Sequence, residues 1–264
     1  MSTVTVVATP EPANLPPRVR LDVTDTGTSP AITATTVTRL NPDGITSPVR
    51  TNDGNPLSLT TSGSNRVGLL YDYEMAYGAP VQYSTMETPG SSSAQVTISV
   101  SDIWLIHVGV PALSRPIIVS TWGERKRPVA RGVFHPMGRA AAVVQTSGVR
   151  QAAEYDLTVL TLTDADADAL DDLIADAGTV LLNIPATKNI NRPSEYVSVG
   201  DITQAGLTRL AAEPGRLWTL PCTVVDRPVG GSQAERTLLD LLDFPTLNDI
   251  RSAYTSLNAV LAGP

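Results

Sequence analysis

Apolar and polar residues alternate along most of this chain with a period of two, the spacing that turns one face of a β-strand to a core and the other to water. "VRLDV" (19–23) and "ITATTVTRL" (32–40) alternate on either side of "TDTGTSP", a run of turn formers. "NPDG" (41–44) and "NDGN" (52–55) add turn signals at the spacing of short strands, and "GSSSAQVTISV" (90–100) reads as a loop and a strand. Together they predict an antiparallel β-sandwich of the immunoglobulin or fibronectin kind over residues 18–108, with "IWLIHVGV" (103–110) as its last run. A second β unit is expected over 109–229. Its strands are "RPIIVSTW" (115–122), those with tight connections that 127–162 reads as, ending in "EYDLTVLTL" (154–162), then "TVLLNIP" (179–185), "EYVSVGDITQAGL" (195–207) and "RLWTLPCTVVDRPVG" (216–230). Residues 1–17 carry a β-prone run and a Pro-rich linker, open between an ordered arm on a neighbour and a frayed tail.

One stretch breaks the alternation. "LTDADADALDDLIADAGTV" (162–180) holds six aspartates within thirteen residues, and the spacing of Asp164, Asp166 and Asp168 invites comparison with a calcium loop. Such a loop needs Gly at its sixth position and a bidentate Glu at its twelfth. Counting from Asp164, those positions hold Ala169 and Ala175, so the comparison fails. A helix accounts for the stretch. Thr163 stands at the N-cap with Asp166 in the place of a capping-box acid, and the early carboxylates sit near the positive end of the helix dipole. Leu170, Leu173, Ile174 and Ala177 recur on one face, which predicts a helix core of Leu170, Leu173 and Ile174, and Gly178 is placed to end it. The imperfect alternation of Tyr155, Leu157, Val159 and Leu162 before it and the short apolar run after it predict strand–helix–strand. A second helical region is expected at 230–264, where Ser232 and Glu235 form a capping box before Leu238, Leu239, Leu241 and Leu242, and Pro245 separates two helices. The chain thus reads as mainly β.

Charge changes the picture more than composition does. The 264 residues are 42% hydrophobic, enough for packed cores, and the net charge of −7 argues against general binding to nucleic acid or membrane. A single cysteine, Cys222, excludes an internal disulfide framework and a Cys-cluster zinc site. Residues 115–150 hold seven Arg or Lys against one acid, whereas 154–176 hold eight acids and no base. That segregation reads either as two solvated faces or as a head-to-tail seam between copies. In the second case Arg125, Lys126 and Arg127 face Asp171, Asp172 and Asp176 of a neighbour.

Candidate chemistry is sparse. His107 alternates with apolar neighbours, His135 precedes Pro136, and Cys222 lies within an alternating strand. All three read as structural. No zinc-protease, nucleophile-elbow or phosphate-loop motif occurs, so no catalytic residue, metal site or cofactor is expected. Tyr71, Tyr73 and Tyr77 form a set that reads either as core packing or as a sugar-stacking platform.

Several runs in order — "IWLIHVGVPALSRPIIVSTW", "RPVARGVFHPMGR", "GTVLLNIP" and "YVSVGDITQ…RLWTLPCTVVDRP" — resemble the minor tail proteins of long-tailed actinobacteriophages, which in turn resemble distal tail proteins. The resemblance spans roughly residues 68–229. It implies a split β-barrel hub domain with a helix packed on it, forming a homo-oligomeric ring, a hexamer first and a trimer second. The implied place is the tail tip of a virion made in a host cytoplasm, between a tail tube protein and a central tip protein, with DNA only as passing cargo. A carbohydrate-binding tail adhesin and a hub of a contractile injection apparatus are the alternatives.

Overall fold

A computed structural model describes residues 3–27, 32–86, 93, 95–146, 148, 150–208 and 214–230. The helices expected over 230–264, with Ser232, Glu235 and Leu238, lie outside these apart from Gly230 itself. The chain divides into two compact units. One is drawn from the described residues of Met1–Pro116, Leu181–Ser194 and Pro228–Pro264, the other from those of Ile117–Val180 and Glu195–Arg227.

The first unit is built of small antiparallel sheets. Its strands up to Thr85, in chain order, are β1 (Val4–Glu11), β2 (Arg18–Asp25), β3 (Ala34–Thr35), β4 (Val37–Leu40), β5 (Thr46–Pro48), β6 (Leu57–Ser58), β7 (Thr60–Ser62), β8 (Asn65–Asp72) and β9 (Gln82–Thr85). They pair as β1-β2-β8-β7, β5-β4-β9 and β3-β6. Period-two patterning decides the faces: Val4, Val6, Val19, Leu21, Val23 and Leu70 are all buried, while Val7 on the other face of β1 is exposed. β1 is neither a frayed tail nor an arm on a neighbour. All eight of its residues pair with β2 of the same chain, from Val4 opposite Asp25 to Glu11 opposite Arg18.

A buried charge cluster ties these sheets together. Arg39 on β4 donates to both carboxylate oxygens of Asp72 at the end of β8, each at 2.7 Å. The Tyr83 hydroxyl of β9 donates to the same carboxylate at 3.0 Å, and the backbone N–H of Glu74 donates at 2.9 Å. Burial opposes the Arg39 charge, but Asp72, Tyr83 and Glu74 together outweigh it and raise the guanidinium above its ordinary value. Burial first, and then Asp72, push the Tyr83 hydroxyl well above the usual tyrosine range, so it stays a donor.

The remaining strands are β10 (Ile103–His107), β11 (Arg115–Trp122), β12 (Arg131–Phe134), β13 (Val143–Thr146), β14 (Glu154–Thr161), β15 (Val180–Asn183), β16 (Glu195–Val199), β17 (Thr203–Gly206) and β18 (Arg216–Val224). Seven of them form one sheet in the order β14-β11-β10-β15-β16-β18-β17, and β14 also pairs with β18. That last pairing closes β14, β11, β10, β15, β16 and β18 into a six-stranded antiparallel barrel. β10, expected as the last run of the sandwich, is therefore a barrel strand, and every residue in it is buried. β14 and β18 pair over eight residues, from Glu154 opposite Thr223 to Thr161 opposite Arg216. Tyr155, Leu157, Val159 and Thr161 are buried from β14, and Trp218, Leu220 and Cys222 from β18. Thr161, not Leu162, takes the fourth inward place. It accepts a hydrogen bond from the Trp218 indole at 3.1 Å, and Leu162 is left half exposed to solvent.

The helix α1 (Asp164–Asp176) connects β14 to β15. Thr163 caps it by accepting from the Asp166 N–H at 3.1 Å. The Asp166 carboxylate reaches the Thr163 hydroxyl at 2.7 Å, closing the cap by a side chain–side chain bond. Leu170 and Leu173 are buried as expected, and Ile174 is half-buried at the margin of that face. The helix ends with Ala177 extended, its N–H on the Leu173 carbonyl, and Gly178 does not enter the left-handed region.

Candidate functional site

The second unit carries a basic surface on one element and an acidic surface on another. The basic one begins at the turn after β11. Gly123 donates to the Asp156 carbonyl at 2.7 Å, and a Cβ there would lie 2.8 Å from that same oxygen, so only glycine permits the approach. Lys126 and Glu154 exchange backbone hydrogen bonds at 2.8 Å in each direction, and Gln151 donates to the Pro128 carbonyl at 2.8 Å. The 123–128 segment is thus pinned alongside 151–156.

The three basic residues differ in what they do. Arg125 donates to Glu195 at 2.7 Å and lies 6.0 Å from the Tyr155 ring centroid, so its charge has a partner within its own chain. Lys126 and Arg127 are exposed, with their backbone held and their side chains outward. Asp171, Asp172 and Asp176 all lie on the exposed face of α1, opposite Leu170 and Leu173. At the start of α1, Asp164 approaches a base, 3.6 Å from Arg216. Glu195 as the partner of Arg125 could not be anticipated, because seventy residues separate the two.

From the pinned base projects one pair of the strands with tight connections expected over 127–162, set apart from the larger sheet. β12 and β13 form a two-stranded hairpin, paired from Arg131 opposite Thr146 to Phe134 opposite Val143, that joins no larger sheet among the described residues. Val133, Phe134, Met137, Val143 and Val144 are all exposed, Met137 completely. The readable signal was composition: "VARGVFHPMGRAAAVV" (129–144) mixes apolar residues and arginines with no polar face.

The tyrosine set does not make one face. Tyr77 is buried and its hydroxyl donates to the Pro17 carbonyl at 3.1 Å, so its ring is core. Tyr71 has the Arg18 guanidinium 4.0 Å from its ring centroid, and Arg18 also donates to the Tyr73 hydroxyl at 3.0 Å and pairs with Glu11 at 2.8 Å. One face of the Tyr71 ring is thus taken by the chain's own arginine.

His107 and the cysteine have structural surroundings. His107 Nδ1 accepts from the N–H groups of Gly109 and Val110 at 3.1 and 2.8 Å, and the His107 backbone N–H donates to the Ser114 hydroxyl at 3.0 Å. His135 is exposed on the hairpin. Cys222 is buried in the barrel, and burial, with Glu195 and Asp156 adding to it, pushes its thiol up to about 12. Among the described residues no group of three or more His, Cys, Asp or Glu is placed to hold a metal ion, and no helix is long and apolar enough to cross a membrane. No protein-family model matches the chain, and no curated protein matches it closely enough to count as a relative.

Proposed function

We propose that this chain is a structural building block of a phage tail tip, assembling through its barrel into a ring between the tail tube protein and a central tip protein. The observation that supports the reading most is the separation of charge on one unit. Lys126 and Arg127 stand exposed on a backbone pinned to β14, while Asp171, Asp172 and Asp176 stand exposed on the helix that follows β14. Complementary, non-identical surfaces on one protomer pair head to tail, and such contacts close into rings when the rotation suits; a hexamer is the first expectation and a trimer the second. The acidic chain, with pI near 4.8, also suits a lumen that passes DNA without holding its phosphates.

Single exposed ion pairs contribute little, about 0–1 kcal/mol each, so the seam works by repetition around a ring and by steering encounter. Lys126→Glu with Arg127→Glu should shift assembly towards monomer in sedimentation velocity, more at low salt than at high. Arg125 is left unchanged so that its bond to Glu195 survives. Adding Asp171→Lys, Asp172→Lys and Asp176→Lys should restore part of the assembly. Rings that persist unchanged through the first pair of reversals would refute the seam, and a monomer in mature particles would refute the ring.

A further inference from the structure

The barrel has a surface that its own alternation fails to explain. Outward residues of four adjacent strands line up in register: Ile118 of β11 opposite Leu160 of β14, Leu160 opposite Leu217 of β18, and Leu217 opposite Ala205 of β17. Directly opposed side chains in antiparallel sheets stand about 4.5–5.5 Å apart at Cβ, so these four form one continuous aliphatic row. Ile118 is 52% exposed, Ala205 is exposed, and Leu160 and Leu217 are half-buried. Leu162, just past the end of β14, is 50% exposed, two residues before the acidic start of α1. The next register row, Thr158 opposite Thr219 opposite Thr203, is entirely threonine, as a solvent-facing row should be. An aliphatic row edged by aspartates is the pattern of an interaction surface.

The hairpin β12–β13 is the matching piece. A lone two-stranded hairpin is marginal in water, and this one exposes Val133, Phe134 and Met137 with nothing of its own sheet to cover them. No acid occurs between Arg125 and Ala153, and the hairpin carries Arg131 and Arg139. One unpartnered surface is apolar with basic edges, the other apolar with acidic edges, and both belong to the same unit of every copy.

We infer that the β12–β13 hairpin of one copy docks on the Ile118–Leu160–Leu217 row of the next, its arginines meeting the aspartates at the start of α1. This rests on the ring reading and specifies the contact that makes it. Apolar burial supplies the affinity, and the charges choose the partner surface and its orientation. The hairpin emerges from the Lys126–Arg127 segment and the row leads into α1, so both contacts belong to one seam.

The test uses the full chain with Phe134→p-benzoylphenylalanine, mixing isotope-labelled and unlabelled copies before irradiation. Cross-links between copies should fall on peptides containing Ile118, Leu160 or Leu217. Ile118→Asp and Phe134→Asp, both at exposed positions, should each weaken self-association by about tenfold or more while leaving the melting curve unchanged. Cross-links confined to one copy, or landing elsewhere on the neighbour, would overturn the inference. So would rings that survive both Asp substitutions, and if those rings still dissolve on charge reversal at Lys126 and Arg127, the ring reading stands without this contact. A chain that stays monomeric in mature particles removes the ring reading and this contact with it.

Discussion

Asp72 and Asp172 are the same residue in opposite circumstances. Asp72 is buried, takes two bonds from Arg39, one from Tyr83 and one from the Glu74 backbone, and holds three strands in one arrangement. Asp172 points to water from a helix whose opposite face does the packing. A buried carboxylate without partners would suffer a desolvation cost of several kcal/mol, so every contact to Asp72 is structural. A solvated carboxylate contributes almost nothing to its own fold, which leaves it available for use between molecules. Searching the chain for acids finds both, and only their surroundings separate scaffold from surface.

The largest effect expected from breaking this contrast is at the buried end. Arg39→Met leaves Asp72 charged and uncompensated and should destabilise the protein by about 3–5 kcal/mol in chemical denaturation. A loss below about 1 kcal/mol would show that water reaches the cluster and that the contrast is false.

The two faces of α1 repeat the comparison at closer range. Leu173→Ala should cost roughly 2–5 kcal/mol, the range for deleting a buried leucine, whereas Asp172→Ala beside it should stay within about 0.5 kcal/mol. Similar losses from both would mean that the helix has no preferred face.

Smaller still is the cap. Thr163→Ala removes the acceptor for the Asp166 N–H and the donor to its carboxylate, and should cost about 1 kcal/mol. Thr163→Asn should recover most of that in the same thermal melts, and failure to do so would assign the loss to something other than capping.

The least change is expected at Cys222. Its thiol is buried and pushed up to about 12, chiefly by burial, so the reactive thiolate is scarce at neutral or mildly alkaline pH. A thiol reagent should label it only after denaturant is added. Rapid labelling of the native protein would show the β14–β18 closure opening.

How much of this was readable in advance follows the sequence separation of the groups involved. The α1 helix was legible in detail because its cap spans three residues and its buried face repeats within two turns, both local features. The strands around it were legible from alternation, and the β-rich character from composition. Of the candidate site, Lys126, Arg127, Asp171, Asp172 and Asp176 were legible as charge blocks, and the structure places all five on exposed surface.

What alternation could not carry was partnership. It marks Tyr155 and Cys222 as residues of half-buried strands, but not that they stand opposite each other and close a barrel across sixty-seven residues. The same limit hid Arg39–Asp72 and Arg125–Glu195, made β10 look like a sandwich strand, and left Tyr77 open between core and surface. The aliphatic row Ile118–Leu160–Leu217–Ala205 is the clearest instance, since each member is an unremarkable apolar residue until three registers place them side by side. A strand's period selects which side chains share its face. Which strands lie beside it is decided by long-range pairing, where loop closure and the packing of the whole core compete, and only the tertiary structure records the outcome.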